Sequence, residues 1–313
     1  MYSIGIDVGG TNLKAGLVDE NGAILAVERT PLGEFPGAEA FAEMLAELAM
    51  AVMEKAGVTM EQVSWVGAGI PGAVSGGTVL YTANIPMKNV PLETLFRRHL
   101  DLPLLLGNDA DCAAVGEWTC GAGKGAKHFI VVTLGTGVGG GLILNEKLYT
   151  GAGTGGEIGH IVICEGGAPC NCGRKGCWEA YASATGLIRL TKEAMEQHPE
   201  SLLHDMSAEH GVEGRTAFLA AEAGDETALR VCADYAKYVA SGLVSLINML
   251  HPQAVALGGG VAAAPEHLLL EPVRKIVAEQ CYARHTDQVP AILRAELGND
   301  AGIIGAAMLG RAI

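Results

Sequence analysis

The first third of the chain alternates short apolar stretches with glycine-rich turns, which predicts strands at residues 2–8, 12–19 and 23–29. Gly9 and Gly10 separate the first two strands, and Asn21 followed by Gly22 is a strong hairpin signal before the third. Apolar residues then recur at helical spacing from residue 41 to 53, and Gly57 ends this helix. Strands at 63–70 and 104–106, with a helix at 92–100, give the order β-β-β-α-β-α-β.

A second series of elements repeats this type of order in the remainder of the chain. Strands are predicted at 129–134 and 141–149, on either side of a glycine loop. Helices follow at 186–198, at about 216–250 and at 266–281, with strands at 254–257 and 291–294 and a terminal helix at 301–311. We therefore expect two α/β domains, a smaller one at 1–115 and a larger one at 116–300, with the terminal helix (301–313) packed on the first.

Composition and charge exclude several classes of protein. Hydrophobic residues make up 49% of the 313 residues and charged residues 18%, so the chain can bury large cores. The net charge is −14 and no block of Lys and Arg stands out, which argues against nucleic-acid and membrane-surface partners. No signal-peptide pattern follows Met1 and no apolar run is long enough to span a bilayer, so we expect a cytoplasmic location.

Asp7, Gly9, Gly10 and Thr11 lie in and before the turn between the first two predicted strands. Two adjacent glycines let backbone N–H groups face a phosphate without interference from a Cβ atom, and Thr11 adds a hydroxyl donor. Asp7 could hold a hydrated magnesium ion, which prefers carboxylate and water ligands. A tight hairpin without a ligand explains the same glycine pair, so both interpretations stay open for this segment alone.

Residues 134–141 (LGTGVGGG) form a second glycine loop that contains a formal G-x-G-x-x-G pattern, and Glu157 follows downstream. A dinucleotide-binding interpretation requires a helix after the glycines, but the next segment has the composition of a strand. A Walker A loop is excluded because no Lys-Ser/Thr pair follows. We therefore interpret Gly135, Thr136 and Gly137 as a second phosphate-binding hairpin, and Gly258, Gly259 and Gly260 as a third glycine cluster.

Two further groups of residues carry chemistry. Asp109 follows a short apolar strand, where its carboxylate is either a general base or an N-cap for the next helix. His160, Cys170, Cys172 and Cys177 offer one imidazole and three thiolates within a short stretch, a set that suits tetrahedral structural zinc.

Five motifs occur in the order seen in the ROK family (repressors, open reading frames and kinases), from Ile4 to the closing AGIIGAAMLG. They are DVGGTN, LGTGVGGG, GEIGH, CNCGRKGCWE and LGGGV. The resemblance implies an actin/hexokinase-like (ribonuclease H-like) α/β fold of two domains with a nucleotide cleft between them. It implies an ATP-dependent sugar kinase with magnesium, in which the ATP phosphates lie on the two glycine hairpins. The residues implied to bind ATP and its magnesium ion are Asp7, Gly9, Gly10, Thr11, Asn12, Gly135, Thr136, Gly137, Gly258, Gly259 and Gly260.

The resemblance also assigns roles to individual side chains. Asp109 matches the catalytic base of the family, and His160, Cys170, Cys172 and Cys177 match its zinc motif. Sugar hydroxyls would contact Asn84, Asn108, Asp109, Glu157, His160 and Glu179. The family also implies a homodimer or homotetramer.

The motif form resembles the glucokinase branch. Fructokinase-like members tend to have a histidine among the later zinc ligands, whereas no histidine lies between Cys170 and Glu179 here. We therefore expect glucose to be phosphorylated at O6, with N-acetylmannosamine, N-acetylglucosamine, mannose, allose and fructose as alternative substrates. After Asn84 and Pro86 the sequence departs from the family pattern near the sugar, at Met87 and Lys88, which leaves the sugar open. A dehydrogenase, a repressor and a non-catalytic nucleotide-binding protein are the more distant alternatives.

Overall fold

The computed structural model describes residues 1–35, 37–82 and 85–313. Its strands are β1 (Tyr2–Val8), β2 (Asn12–Val18), β3 (Ile24–Pro31), β4 (Val63–Ile70), β5 (Gly72–Ser75), β6 (Thr78–Thr82), β7 (Lys88–Val90), β8 (Leu104–Asn108), β9 (His128–Leu134), β10 (Val138–Leu144), β11 (Lys147–Leu148), β12 (Ala254–Gly258) and β13 (Ala291–Arg294). Its helices are α1 (Ala38–Ala56), α2 (Leu92–Phe96), α3 (Asp109–Cys120), α4 (Glu179–Ala182), α5 (Ala184–Gln197), α6 (Leu203–Ser207), α7 (Thr216–Glu222), α8 (Glu226–Leu250), α9 (Leu270–Gln280) and α10 (Ala301–Met308).

Two five-stranded sheets share one strand order, which confirms the predicted duplication. The first sheet has the order β3-β2-β1-β4-β8, and the second has the order β11-β10-β9-β12-β13. In the first, β1 pairs with β2 in antiparallel fashion and with β4 in parallel, and β4 is parallel to β8. The glycine hairpins therefore occupy equivalent places, between β1 and β2 and between β9 and β10.

Several parts of the fold differ from the prediction. The helix expected at about 216–250 is two helices, α7 and α8, because Gly224 at φ 88° ends the first and Asp225 caps the second. The strand expected at 141–149 begins earlier, at Val138, and is interrupted by a turn in which Asn145 and Glu146 have positive φ angles of 54° and 64°. A third, small sheet of order β5-β6-β7 was not predicted. Its first turn uses Gly76 and Gly77 at φ 52° and 75°, the conformation that a two-residue hairpin turn requires.

Backbone contacts divide the chain into two compact units. Unit 1 comprises Met1–Val131, Gly141–Gly156 and Glu296–Ile313, and unit 2 comprises Val132–Gly140 and Glu157–Ala295. The domain limits suggested by the sequence, 1–115 with 301–313 and 116–300, stay a prediction. Among the described residues, no helix is both long enough and apolar enough to cross a bilayer.

Within unit 1, the C-terminal helix α10 packs unusually closely against the first sheet and against α3. A Cβ atom built on Gly5 of β1 would lie 1.9 Å from the carbonyl oxygen of Ile303, and one built on Gly67 of β4 would lie 1.9 Å from that of Ala306. On α10 itself, a Cβ atom on Gly305 would lie 1.5 Å from the carbonyl oxygen of Cys112 in α3. Only glycine permits these backbone approaches. Helix α10 is therefore part of the support for the strand ends described next.

Candidate functional site

The first glycine hairpin lies at the end of β1, in unit 1. The Gly9 backbone N–H donates to the carbonyl oxygen of Asn12 at 3.0 Å, which closes the turn. Gly10, Thr11 and Asn12 are exposed, and the Asn12 side-chain amide donates to the Thr11 hydroxyl at 3.0 Å. The tip thus presents backbone and hydroxyl donors to its surroundings, as the phosphate-hairpin interpretation requires.

Asp7 lies at the base of this hairpin among charged neighbours. Burial raises the pKa of the Asp7 carboxyl above its usual range, and the negative charge of Asp109 raises it further, whereas the Lys14 ammonium opposes the rise. Lys14 is the cross-strand partner of Asp7 in the β1–β2 pairing. Its Nζ atom lies 2.7 Å from Oδ1 of Asp300, just before α10. The proximity of two carboxylates, Asp7 and Asp109, is the arrangement that a cation and a phosphate chain can use.

Asp109 is the first residue of α3, and it is not the residue that caps this helix. The capping residue is Asn108, whose side-chain oxygen accepts from the Ala110 backbone N–H at 2.9 Å. Asp109 Oδ1 lies 3.0 Å from the same N–H, and Asp109 is exposed. The Asn108 side-chain nitrogen donates to the carbonyl oxygen of Gly72 at 3.1 Å. The helix cap therefore does not depend on Asp109. Asn108, a predicted sugar contact, uses both its side-chain oxygen and its side-chain nitrogen in hydrogen bonds within the protein.

The second glycine hairpin joins β9 to β10, in unit 2. The Gly135 N–H donates to the carbonyl oxygen of Gly137 at 3.0 Å. The start of α5 fixes its position, since the Ala184 N–H donates to the carbonyl oxygen of Gly135 at 2.8 Å and the Thr185 hydroxyl donates to that of Thr136 at 2.9 Å. A strand follows the glycines, so the helix that a dinucleotide-binding loop needs does not form there.

A cavity of about 570 Å³ opens beside this hairpin. Three predicted nucleotide residues, Gly135, Thr136 and Gly260, line it, whereas Gly137, Gly258 and Gly259 do not. Gly259 supports the hairpin instead: at φ 82°, its Cβ atom would lie 2.5 Å from the carbonyl oxygen of Leu134. Sequence reasoning missed the rest of the lining, which is Ala184, Glu213, Gly214, Arg215, Phe218, Leu219, Glu222, Val261, Ala263, Ala264 and Pro265.

His160, Cys170, Cys172 and Cys177 come together, as the sequence predicts. Their ligand atoms all lie within 4.8 Å of one another. The Cys172 and Cys177 sulfurs are 3.6 Å apart, and the Cys170 sulfur is 3.7 Å from Nδ1 of His160. Burial raises the pKa of the Cys170 thiol to about 12 and raises that of Cys177, whereas the Arg174 backbone N–H lowers that of Cys172. A bound cation would favour the thiolate form of all three cysteines.

The loop around the cluster is folded by its own backbone. The Cys170 N–H donates to the carbonyl oxygen of Arg174 at 2.9 Å, and the Gly173 N–H donates back to that of Cys170 at 3.0 Å. Gly176 has φ 81°, and a Cβ atom there would lie 1.8 Å from the carbonyl oxygen of Cys164. The chain can make this turn only with glycine, which explains the glycine that precedes Cys177.

The two glutamates predicted to contact sugar lie beside this cluster. Oε2 of Glu157 is 3.9 Å from Nε2 of His160, so the imidazole faces the cysteines with one nitrogen and a carboxylate with the other. Glu179 begins α4, and its Oε1 lies 3.5 Å from the Cys170 sulfur. Its Oε2 accepts from the Val138 backbone N–H at 3.1 Å. Glu179 thus connects the metal-ligand cluster to the second glycine hairpin.

The predicted residues fall into sets that each unit assembles separately. Unit 1 brings together Asp7, the first hairpin, Asn108 and Asp109. Unit 2 brings together the second hairpin, the third glycine cluster and the cluster beside Glu157 and Glu179. Asn84, the remaining predicted sugar contact, lies outside the described residues.

Comparison with known proteins gives consistent results. The family model described as the ROK family matches residues 3–313. The glucokinase of Halalkalibacterium halodurans is 37% identical, over 98% of this chain and 94% of its own length. A ROK family glucokinase from Streptomyces griseus, solved in complex with glucose and AMPPNP, is 36% identical over 99% of both chains, with a TM-score of 0.80. A ROK hexokinase from Thermus thermophilus is 34% identical, over 99% of this chain and 97% of its own, with a TM-score of 0.81.

The agreement covers the fold as well as the sequence. Solved ROK kinases superpose along nearly the whole chain, which confirms the predicted actin/hexokinase-like α/β fold. The five motifs that suggested the resemblance lie within the matched residues. The chain belongs to the ROK family.

Proposed function

We propose that this protein is an ATP-dependent hexose kinase that phosphorylates glucose at O6, with Asp109 as the general base. The observation that carries the proposal is the exposed Asp109 carboxylate at the start of α3, in a helix already capped by Asn108. An exposed carboxylate at a helix start can act as a general base toward a substrate hydroxyl. The names of the related glucokinases and the glucose and AMPPNP of the Streptomyces complex support both substrates.

The proposed reaction is a direct phosphoryl transfer. Asp109 accepts the proton of the sugar O6 hydroxyl, the O6–P bond forms at the γ-phosphorus, and the bond to the β–γ bridging oxygen breaks to release ADP. Backbone N–H groups of the two glycine hairpins donate to phosphate oxygens as charge develops on them. Asp7 would hold a hydrated magnesium ion, which would neutralise charge on the phosphates when bound. The nearby charges of Asp109 and Lys14 support this role.

The cavity beside the second hairpin is the proposed site for the nucleoside of ATP. It has the size of a small-molecule site, and Phe218, Val261 and Pro265 give part of its wall an apolar surface suited to a purine face. Glu213 and Arg215 form an ion pair at 2.8 Å on the same wall. The phosphates would extend from this cavity along Gly135 and Thr136, which line it.

Zinc is the ion that we propose for the cysteine cluster. A tetrahedral site with Zn–S bonds of about 2.3 Å places its ligand atoms about 3.8 Å apart. The observed separations of 3.6 and 3.7 Å fit this geometry, and three thiolates with one imidazole form a closed structural set. Zinc would fix the His160 ring, so that Nε2 stays near Glu157, and would hold Glu157 and Glu179 in position to contact sugar hydroxyls.

The assembly and location rest on the sequence alone. We propose a homodimer or homotetramer, as the family resemblance implies, without a nucleic-acid partner. Light scattering at several protein concentrations measures the assembly directly. A cytoplasmic location stays a prediction.

The choice of sugar is tested by a coupled ADP-release assay over a panel of sugars. We expect the highest kcat/KM for glucose, because a site that hydrogen-bonds each hydroxyl discriminates against analogues that leave its polar groups unpaired. The panel includes N-acetylmannosamine, N-acetylglucosamine, mannose, allose and fructose. An acetylated sugar that exceeds glucose by about tenfold or more would overturn the choice of glucose but not the kinase assignment.

Gly137→Ala tests the role of Glu179 without changing Glu179 itself. The new Cβ atom would lie 2.4 Å from Oε2 of Glu179, so the carboxylate has to leave the Val138 N–H. We expect KM for glucose to rise about tenfold or more, because the displaced carboxylate no longer meets the sugar hydroxyl and a hydrogen bond to a charged group is lost there. KM for ATP can rise as well, because Gly137 belongs to the second hairpin. Glu179→Ala should give the same pattern. A rise in KM for ATP alone, measured in the same assay, would contradict the proposed sugar contact.

A further inference from the structure

Glu117 of α3 is a buried carboxylate for which the proposed reaction has no role. Only 1% of the residue is exposed, and its carboxylate accepts three backbone hydrogen bonds. Oε2 accepts from the N–H groups of Ala122 and Glu296, both at 3.0 Å, and Oε1 accepts from that of Leu297 at 2.8 Å. Hydrogen bonds to an ionised acceptor are stronger than those between neutral groups. Glu117 therefore holds the loop after α3 and the segment before α10 together.

The segment that Glu117 holds leads directly to charged residues beside Asp7. Three residues after Leu297, Oδ1 of Asp300 lies 2.7 Å from Nζ of Lys14. Lys14 is paired with Asp7 across β1 and β2, and residues paired in this way project from the same face of a sheet. Asp300 thus pairs with the ammonium of the residue opposite Asp7, and it follows closely after the segment that Glu117 holds.

The same segment also sets a steric boundary for Asp7. A Cβ atom built on Gly302, in the first turn of α10, would lie 3.1 Å from Cγ of Asp7, so the helix backbone lies against the carboxylate. On the other side, a Cβ atom on Gly116 of α3 would lie 2.7 Å from the carbonyl oxygen of Ala301. Helix α3 carries Asp109 at its first residue, so one helix presents the proposed base and fixes the segment that borders Asp7.

We propose that Glu117 is a positioning residue for phosphoryl transfer, which fixes residues 296–300 so that Asp300 holds the Lys14 ammonium next to Asp7. The proposal rests on the proposed function, which gives Asp7 the hydrated magnesium ion. A carboxylate that only stabilised the fold would explain the three hydrogen bonds equally well. The two roles differ in what happens to kcat when the fold is retained.

The test compares Glu117→Gln with Asp300→Asn in the full-length protein, using glucose, ATP and magnesium. Glutamine keeps the shape, but its amide nitrogen cannot accept, so at least one backbone N–H loses its acceptor. We expect kcat to fall roughly 10- to 100-fold, as for a misplacement of about 1 Å, and the magnesium concentration for half-maximal rate to rise. KM for glucose should stay within about twofold, since the altered contacts lie at Asp7. Asp300→Asn should give the same pattern.

The kcat of a double variant, Glu117→Gln with Asp300→Asn, tests whether Glu117 affects Asp7 through Asp300. If Glu117 acts through Asp300, kcat of the double variant should lie within about twofold of the lower single variant. Trp118→Phe is the matched control, because it lies on the same helix and removes a 2.7 Å hydrogen bond to the carbonyl oxygen of Ala126 in the same loop. It should lower the melting temperature and leave kcat unchanged.

Three results would overturn the proposal. The first is a Glu117→Gln protein that is less stable but keeps kcat within about twofold of the wild type. The second is a double variant in which the two effects multiply. The third is an Asp300→Asn protein with the kcat of the wild type. This variant is expected to fold even if Glu117→Gln does not, because Asp300 lies in an exposed ion pair. A wild-type protein that phosphorylates no hexose would instead overturn the proposed function, and this proposal with it.

Discussion

Replacing Asp109 with asparagine should lower kcat for glucose phosphorylation by about 10²- to 10⁴-fold, the usual effect of removing a general base. Asparagine has nearly the same shape, but its side chain cannot take the proton of the O6 hydroxyl. Helix α3 should survive the change because Asn108 provides the cap. Binding of glucose and of AMPPNP should change far less than kcat. Steady-state kinetics and calorimetric titration of the variant measure the two effects separately.

Asp205→Asn is the matched control for this change. Asp205 is likewise an exposed acid in the first turn of a helix, α6, so its loss removes a comparable favourable interaction with a helix N-terminus. It should leave kcat unchanged. An Asp109→Asn protein with near-normal kcat would exclude Asp109 as the base, and the proposed mechanism would then need a different proton acceptor.

Much of the fold could be predicted from local patterns, because the apolar stretches, the glycine turns and the order of the elements all indicate the same structure. Apolar stretches and glycine turns located most strands of the two five-stranded sheets, and the repeated order of elements indicated their shared topology. The small sheet β5-β6-β7 was missed because its strands have only four, five and three residues, too few to show a reliable alternation. The break at Asn145 and Glu146 was missed because apolar residues continue on both sides of a two-residue turn.

The same distinction holds for the candidate site. Motifs whose residues are close in sequence could be predicted, whereas contacts between residues far apart in sequence could not. The cysteine cluster lies within one short segment, so its four residues could be found from their spacing. The hairpins are short glycine motifs that could be located in the sequence, but their phosphate role rests on the family resemblance. The part of the cavity wall that α7 forms could not be predicted from the sequence. An apolar helix face has the same sequence pattern whether it packs in a core or borders a cavity. Glu117 was missed for a related reason. A single glutamate in a helix is usually exposed, and nothing nearby in sequence reveals that Glu296 and Leu297 donate to it.

Loss of zinc from the cysteine cluster is the second change expected to have a large effect. We expect the purified protein to hold about one zinc per chain, as a closed set of four ligands does, and Cys172→Ser to release it. Because metal binding also orders its ligands, residues 156–179 should become mobile. KM for glucose should rise much more than KM for ATP, since Glu157, His160 and Glu179 lie on this segment, whereas the proposed nucleoside cavity is lined by other residues.

Cys164→Ser provides the matched control, because Cys164 is an exposed cysteine on the same loop that does not belong to the four-ligand cluster. It should keep its zinc and its KM for glucose. Elemental analysis of protein prepared without chelators gives the metal content, and hydrogen exchange reports the mobility of the loop. Wild-type protein without zinc would contradict the assignment of the metal. A Cys172→Ser protein that loses zinc but keeps its KM for glucose would instead show that the cluster does not position the sugar contacts.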